Sequence, residues 1–364
     1  MKLQKQAEGK VTFYASPALA KGAFYNPASE FQRDISISIA QAWQRLSGMR
    51  ITVCDALSAS GIRGLRYAKE VKGVKAVTLN DKNPAAVSVI KKNIRLNKLS
   101  KLCKVSRSDA NVLLHENIFN FIDLDPYGSP NTILDSAARS IWHKGFLAVT
   151  ATDTAPLSGV FPLATMRKYA IASFKGAPFY SELGLRTLLS FIILTLARRD
   201  RAFIPLLCHA TRHYFRCYGR IEHSGAIEDL LKQFGFVSYS PKTGEFKLGP
   251  APEKGWLFAG PLYLGPLQDR SFVKLVENDL KGRDFKQKTA ELKLLKMLAA
   301  ESDAPAFYYD LHALASLLKV RLPTMDAAIE QLQKKGHVAV RTHFDDFALK
   351  SDAPYDVVKN LLKV

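Results

Sequence analysis

The 364-residue chain is 47% hydrophobic and 23% charged, the balance of a globular protein with room for two domains and a sizeable core. Its 52 Lys and Arg against 33 Asp and Glu leave a net charge of +19, which draws polyanions and puts nucleic acid ahead of an acidic lipid surface. Cys54, Cys103, Cys208 and Cys217 form no CxxC pair and have no histidine at finger spacing, which excludes a zinc finger and a disulfide framework.

The chain starts Met1-Lys-Leu-Gln-Lys-Gln-Ala-Glu8, without the apolar stretch of a secretory leader, so a cytoplasmic protein is expected. The longest apolar run, Leu188 to Ala197, is too short to cross a bilayer and reads as a buried helix. Turn residues and aromatics, Phe24 and Tyr25 among them, precede a helical period from Arg33 to Trp43. Ile51-Thr-Val-Cys-Asp55 then reads as a strand ending in a carboxylate. The turn Ala56-Leu-Ser-Ala-Ser-Gly-Ile-Arg-Gly64 leads into a helix, the layout of a nucleotide-binding βα unit. Only Gly61 and Gly64 are glycines, so the turn departs from GxGxxG.

A second strand from Val74 ends at Asn80-Asp81, where a carboxylate can take both ribose hydroxyls of a nucleoside. The helix from Pro84 to Leu99 carries Lys91, Lys92, Arg95 and Lys98, which read as a solvated face. A third strand ends in Asp109-Ala110, where an adenine would be read. The fourth, Phe121 to Leu124, is broken by Asp125-Pro126-Tyr127-Gly128. Carboxylate, proline carbonyl and aromatic face together can hold a planar base bearing an exocyclic amine. Asp123 lies two residues earlier on the same strand, and its position demands no such role. A fifth strand ends at Asp153. Strand ends carrying acids at 55, 81, 109, 125 and 153, without a phosphate-cradling loop, suit a ribose-and-adenine cofactor that lacks phosphates. That description points to S-adenosylmethionine.

From Ala197 to Arg220 the chain turns basic. Arg212, Arg216 and other arginines alternate with His209, His213, Tyr214 and Tyr218, a mixture suited to backbone contact and base stacking on RNA, or to an edge strand. Residues 239–270 are rich in Gly and Pro and read as a loop-heavy connection. Helices are predicted over Lys286–Glu301, Tyr309–Leu318 and Thr324–Lys335. Alternating Val338–Phe344 and Phe347–Lys350 follow as a hairpin, which completes a winged-helix-like module. The expected division is a class I, Rossmann-like methyltransferase domain over 1–270 and a smaller α+β winged-helix-like domain over 271–364.

Together these pieces resemble the tRNA (guanine-26-N2) dimethyltransferases in their archaeal form. The matching residues are Tyr25-Asn-Pro27 with Arg33-Asp34, Asp55 to Arg63, Asn80-Asp81, Asp109-Ala110 and Asp125-Pro-Tyr-Gly-Ser129. Ala151 to Pro156, His213-Tyr214 and Arg341-Thr-His-Phe344 complete the set. The resemblance implies methyl transfer from S-adenosylmethionine to guanine N2 of tRNA. Arg33, Asp55, Arg63, Asp81, Asp109 and Ala110 would hold the cofactor, and Asp125, Pro126 and Tyr127 would act on the amine. Phe24, Arg212, Arg216, Arg341, His343 and Phe344 would contact tRNA, with Phe24 or Tyr127 stacking on the target base. Lys242 to Gly249 stands where many relatives have a cysteine cluster, so no metal is expected. Rival readings are a methylase of rRNA guanine or DNA adenine, and a non-catalytic RNA-binding module.

Overall fold

The computed structural model describes residues 3–16, 23–211 and 213–362. A hairpin of β1 (Gln4–Glu8) and β2 (Val11–Ala15) precedes α1 (Glu30–Ser47), whose residues from Glu30 to Trp43 are buried throughout. Strands and helices then alternate. They are β3 (Ile51–Asp55), α2 (Ile62–Glu70), β4 (Val74–Asn80), α3 (Pro84–Leu96), β5 (Cys103–Ser106), α4 (Ala110–Glu116), β6 (Phe119–Leu124), α5 (Leu134–Ser140) and β7 (Ile141–Ala151). β3 pairs in parallel with β4 on one side and β6 on the other, β4 with β5, and β6 with β7. The order reverses beside β3, so a crevice is expected at the carboxyl ends of β3, β4 and β6, where doubly wound sheets take ligands. The apolar runs of β3 and β6 leave both sheet faces covered. Phe121 and Phe146 stack at 5.3 Å on adjacent strands, with Trp43 tilted against Phe146 and Tyr67 edge-on to Phe121.

The chain continues through α6 (Thr154–Leu157), α7 (Pro162–Tyr169), α8 (Tyr180–Ala197), β8 (Ala202–Thr211), β9 (Tyr214–Glu222) and α9 (Ile227–Leu231). The full strand order of the mostly parallel sheet is β5-β4-β3-β6-β7-β9-β8. Among the described residues only α8 is long and apolar enough to cross a membrane, and most of it is buried inside the protein. The region expected as loops holds instead two strands, β11 (Phe246–Gly249) and β12 (Leu257–Tyr263), which flank the preceding β10 (Phe234–Tyr239) in a three-stranded antiparallel sheet. Its glycines and prolines mask the alternation. Phe174, Phe179, Val237 and Leu262 form the core beneath that sheet.

Next come α10 (Arg270–Lys281), α11 (Lys288–Glu301), β13 (Tyr309–Asp310), α12 (Leu311–Leu318), α13 (Met325–Lys334), β14 (Ala339–Arg341), β15 (Ala348–Ser351) and α14 (Tyr355–Leu361). Helices followed by an antiparallel hairpin were expected here. Tyr309 and Asp310, read as a helix start, are instead a third strand beside β15, and Asp310 caps α12 with its carboxylate. Leu311, Leu314, Leu332, Leu349 and Val358 give this end of the chain its own core.

Two compact units result. Met1–Val149, Tyr218–Glu222 and Ser271–Leu295 make one, and Thr150–Cys217, His223–Arg270 and Lys296–Val364 the other. The chain therefore does not divide at residue 270. The amphipathic α10 buries Phe272, Val273, Val276 and Leu280, and Phe272 packs 6.1 Å from the Phe146 ring. Asp279 pairs with Arg45 and Arg283, and Arg283 donates to the Glu70 carbonyl. These ties hold α10 in the first unit.

Candidate active site

The turn after β3 is built from backbone polarity. Gly61 enters α2 with φ +81, the left-handed region that glycine adopts without strain. At Gly64 a Cβ would lie 2.8 Å from Leu79 and 3.1 Å from Asp55 Oδ2, so only glycine lets α2 approach the sheet this closely. The Gly64 N–H donates to Asp55 Oδ2 at 2.9 Å. Burial, with Asp123 opposite it on β6, raises the Asp55 carboxyl to about 7 against the pull of Arg63.

Asp81 closes the same loop from the end of β4. Its Oδ2 accepts from the Ala59 N–H at 3.0 Å and its Oδ1 from Asn83 N–H at 2.8 Å. Burial raises its carboxyl, and the two amides and Lys82 oppose that. Asn80, to which the sequence motif assigns no separate role, clamps two strand ends. Its amide donates to the Ala56 and Ser108 carbonyls and its oxygen accepts from Ser108 N–H. Asp109 caps α4 through Asn111 N–H and stays exposed, with Ala110 buried behind it.

Asp125 follows β6 with its side chain 29% exposed, and Arg63 Nη2 donates to its Oδ2. Arg63 is itself buried, and its other contacts fix the fork: Gln32 Oε1 at 2.8 Å, Ser36 Oγ at 3.2 Å and Asp123 Oδ2 at 3.4 Å. Tyr67, one helical turn beyond Arg63 on α2, donates to Asp123 Oδ2 at 2.6 Å. Burial opposes the guanidinium charge, but Asp123 and Asp125 outweigh it and hold Arg63 protonated. Arg63 was expected at the cofactor; the bonds its guanidinium makes here are to Asp125, Asp123, Gln32 and Ser36. Tyr67, Gln32 and Ser36 were missed, although the i,i+4 spacing of Arg63 and Tyr67 places both on one helix face. Arg33 is likewise engaged with protein: Nε and Nη2 form a fork with Glu8 at 2.7 and 2.5 Å, and Nη2 reaches the Asn26 carbonyl.

The expected RNA contacts divide sharply. Tyr127 is 89% exposed and its ring faces solvent, while Pro126 before it is buried. Phe24 is half-buried and bridges to Ser16. Arg212 lies outside the described residues. Arg216 cannot contact RNA as expected: it is fully buried and donates to Thr150 Oγ1, because β9 is covered on both faces. His343 is also corrected. Its Nε2 accepts from Ala210 N–H at 3.2 Å, so Nδ1 carries the proton and donates to the buried Glu301 at 2.8 Å. Phe344 is half-buried, stacks on Tyr308 at 5.6 Å and packs against the core of the second unit. Arg341 alone of that motif is exposed, paired with Asp326 at 2.8 Å. Among the described residues no group of three or more His, Cys, Asp or Glu is placed to hold a metal ion.

Residues 4–363 match the family model for N2,N2-dimethylguanosine tRNA methyltransferase. Among curated proteins, the tRNA (guanine(26)-N(2))-dimethyltransferase of Methanosarcina mazei is 39% identical over 365 residues, covering 95% of this chain and 92% of its own. That of Thermococcus kodakarensis is 39% identical over 360 residues and covers 93% of each chain. Among solved structures, Trm1 from Pyrococcus horikoshii in complex with S-adenosyl-L-methionine superposes with a TM-score of 0.91. It is 34% identical, over 98% of this chain and 99% of that one.

Proposed function

The chain belongs to the N2,N2-dimethylguanosine tRNA methyltransferase family, and from that premise we propose that it methylates the exocyclic N2 of guanine 26 in tRNA, using S-adenosylmethionine. The residues present suit that cofactor. The loop between β3 and α2 is closed by Asp81 rather than opened for phosphates, and carboxylates at 55, 81, 109 and 125 suit a positively charged sulfonium. Bound there, S-adenosylmethionine supplies an electrophilic methyl group. Asp81, already fixed by two backbone amides, takes the ribose hydroxyls. Asp109 and Ala110 read the adenine, and Asp55 holds the loop through Gly64. Arg33 acts on the site through Glu8 and Asn26, as the anchor of the N-terminal hairpin against α1.

Guanine N2 is a weak nucleophile, its lone pair delocalised into the ring, so the protein must aim that pair and stabilise positive charge as the bond forms. Asp125 accepts the amine's N–H, draws on it as charge develops, and takes the proton directly or through water. Pro126 fixes the turn, and the exposed Tyr127 ring receives the base once it leaves the tRNA stack. A soluble, cytoplasmic enzyme follows from this reading, since tRNA is the partner and α8 is a core helix.

One observation carries the reading. The acid of the Asp-Pro-Tyr turn is held by Arg63, which sits on the helix opened by the cofactor loop, so both halves of the site form one bonded structure. The test is incubation with methyl-labelled S-adenosylmethionine and total tRNA, rRNA or DNA, followed by nucleoside analysis. Label is expected in N2-methyl- and N2,N2-dimethylguanosine of tRNA. Label confined to rRNA or DNA, or to no nucleic acid, would refute the assignment.

A further inference from the structure

Between Lys82 and Ser108 the chain carries eight Lys or Arg and no Asp or Glu, so this one segment supplies +8 of the net +19. All eight side chains are exposed. Lys91, Arg95 and Lys98 follow one another at four and three residues, a single stripe along α3 and the turn that ends it, with Lys92 beside them. Lys101, Lys104 and Arg107 continue across the following turn and along β5, the edge strand of the sheet. Among the described residues none of the eight forms an ion pair, and Lys92 Nζ instead lies 3.7 Å over the Tyr14 ring.

An ordinary solvated helix face looks different, and the same chain shows how. The exposed Lys334 pairs with Glu330 and the exposed Lys281 with Glu277, each at i,i+4. An edge strand gains protection from one lysine such as Lys104, but that leaves the stripe on α3 unexplained. Like charges at i,i+4 on a helix oppose folding, so a face kept wholly cationic is kept for a polyanion. We propose that this face, formed by α3, the turn after it and β5, is a docking surface for the sugar-phosphate backbone of tRNA. The stretch 198–220, expected to supply that grip, turns its Arg216 inward. The proposal rests on tRNA being the substrate, and it adds where the molecule is held.

The test uses the full chain with Lys91, Arg95, Lys101 and Lys104 each changed to Gln. A charge-matched control changes four exposed, acid-paired lysines: Lys232, Lys281, Lys286 and Lys334. Binding of fluorescent tRNA is followed by anisotropy between about 50 and 200 mM salt. At roughly 0.9 per neutralised duplex phosphate, the slope of log Kd against log salt should flatten by about 2–4 in the first variant and by less than about 1 in the control. Affinity for S-adenosylmethionine should be unchanged in both, which reports an intact fold. On the unaltered protein, bound tRNA should shield Lys91, Lys98, Lys101 and Lys104 from an acetylating reagent.

Equal flattening in both variants would mean that net charge alone matters, and would overturn the proposal. So would an unchanged slope with unshielded lysines, or a variant that loses anionic vesicles while keeping tRNA. If the unaltered protein methylates tRNA guanine in any of these cases, the surface is wrong and the activity stands. If it methylates no tRNA while the lysines are shielded, the activity is wrong and the surface stands.

Discussion

Arg63 concentrates the chemistry of the site in one side chain. Its planar fork meets Asp125, Asp123, Gln32 and Ser36 together, a set that a lysine's single ammonium cannot reproduce. Replacing it with Gln should remove the counter-charge beside Asp125, so the acid limb of the pH–rate profile should move to higher pH. Turnover should fall roughly 10²-fold, the cost of a misplaced reacting group, with a smaller effect on cofactor affinity. Lys at the same position should restore the pH limb in part and the rate only slightly. A limb that stays put in the Gln variant would leave Arg63 a purely structural residue. Asp125→Asn keeps the shape of the carboxylate, loses its charge and presents an NH2 to the donor amine. Single-turnover methylation should then slow by about 10²–10³ while S-adenosylmethionine still binds. Asp123→Asn is the comparison. Fully buried between Tyr67 and Arg63, it should cost stability more than rate, and a deeper rate loss there than at Asp125 would reverse the two roles.

Elements show which residue patterns could be read in advance and which could not. The strands ending at Asp55, Asn80 and Leu124 lie where alternation of apolar runs and turn signals put them, because both sheet faces are buried and the runs are nearly continuous. The turn chemistry of Gly61, Gly64 and the Asp-Pro-Tyr-Gly break was equally legible. Burial of charge was not. Arginine interleaved with aromatics describes both an RNA-facing strand and a covered one, and only the sheet order decides that β9 is covered. The motif Arg341-Thr-His-Phe344 misleads for a related reason. Glu301, forty residues earlier in sequence, gathers Thr342 Oγ1, the His343 amide and His343 Nδ1 into a buried knot. Burial would raise the Glu301 carboxyl, but His343 and Lys350 more than offset it and hold it below its ordinary value. Arg216→Ala and His343→Ala should therefore each destabilise the fold by about 2–5 kcal/mol and leave the salt slope of tRNA binding unchanged. Thermal melts and anisotropy on the two variants decide this. A flatter slope with an undiminished melt would return either residue to the RNA interface.

Across the whole molecule, charge is sorted rather than spread. The exposed cations of α3 and β5 stand without acids, while in the first unit acids are gathered inside around two arginines. Glu8 bridges Arg33 and Arg66, Glu70 takes Arg66 at 2.8 Å, and Asp34 lies 2.6 Å from the same guanidinium. Glu291 adds a fourth buried carboxyl beside Asp34, so acids outnumber arginines. Burial and then Asp34 push Glu291 up to about 9, and burial raises Asp34 as well. The sign of the linkage follows from proton counts. Between the ordinary value of 4.5 and about 9 the folded protein keeps a proton on Glu291 that the unfolded chain has released. Stability contributed by this group is therefore whole below 4.5, declines as pH rises through that window, and is lost above about 9. Gln at this position is the protonated acid made permanent. Glu291→Gln should leave the melting temperature near the parent's at pH 5 and raise stability by about 1–3 kcal/mol at pH 9, where the parent must either ionise a buried acid or hold its proton against the solvent. Denaturant melts of both proteins across that range measure the difference directly. Parallel curves for the two would mean that Glu291 titrates like an exposed acid, and that the arginines alone balance the cluster.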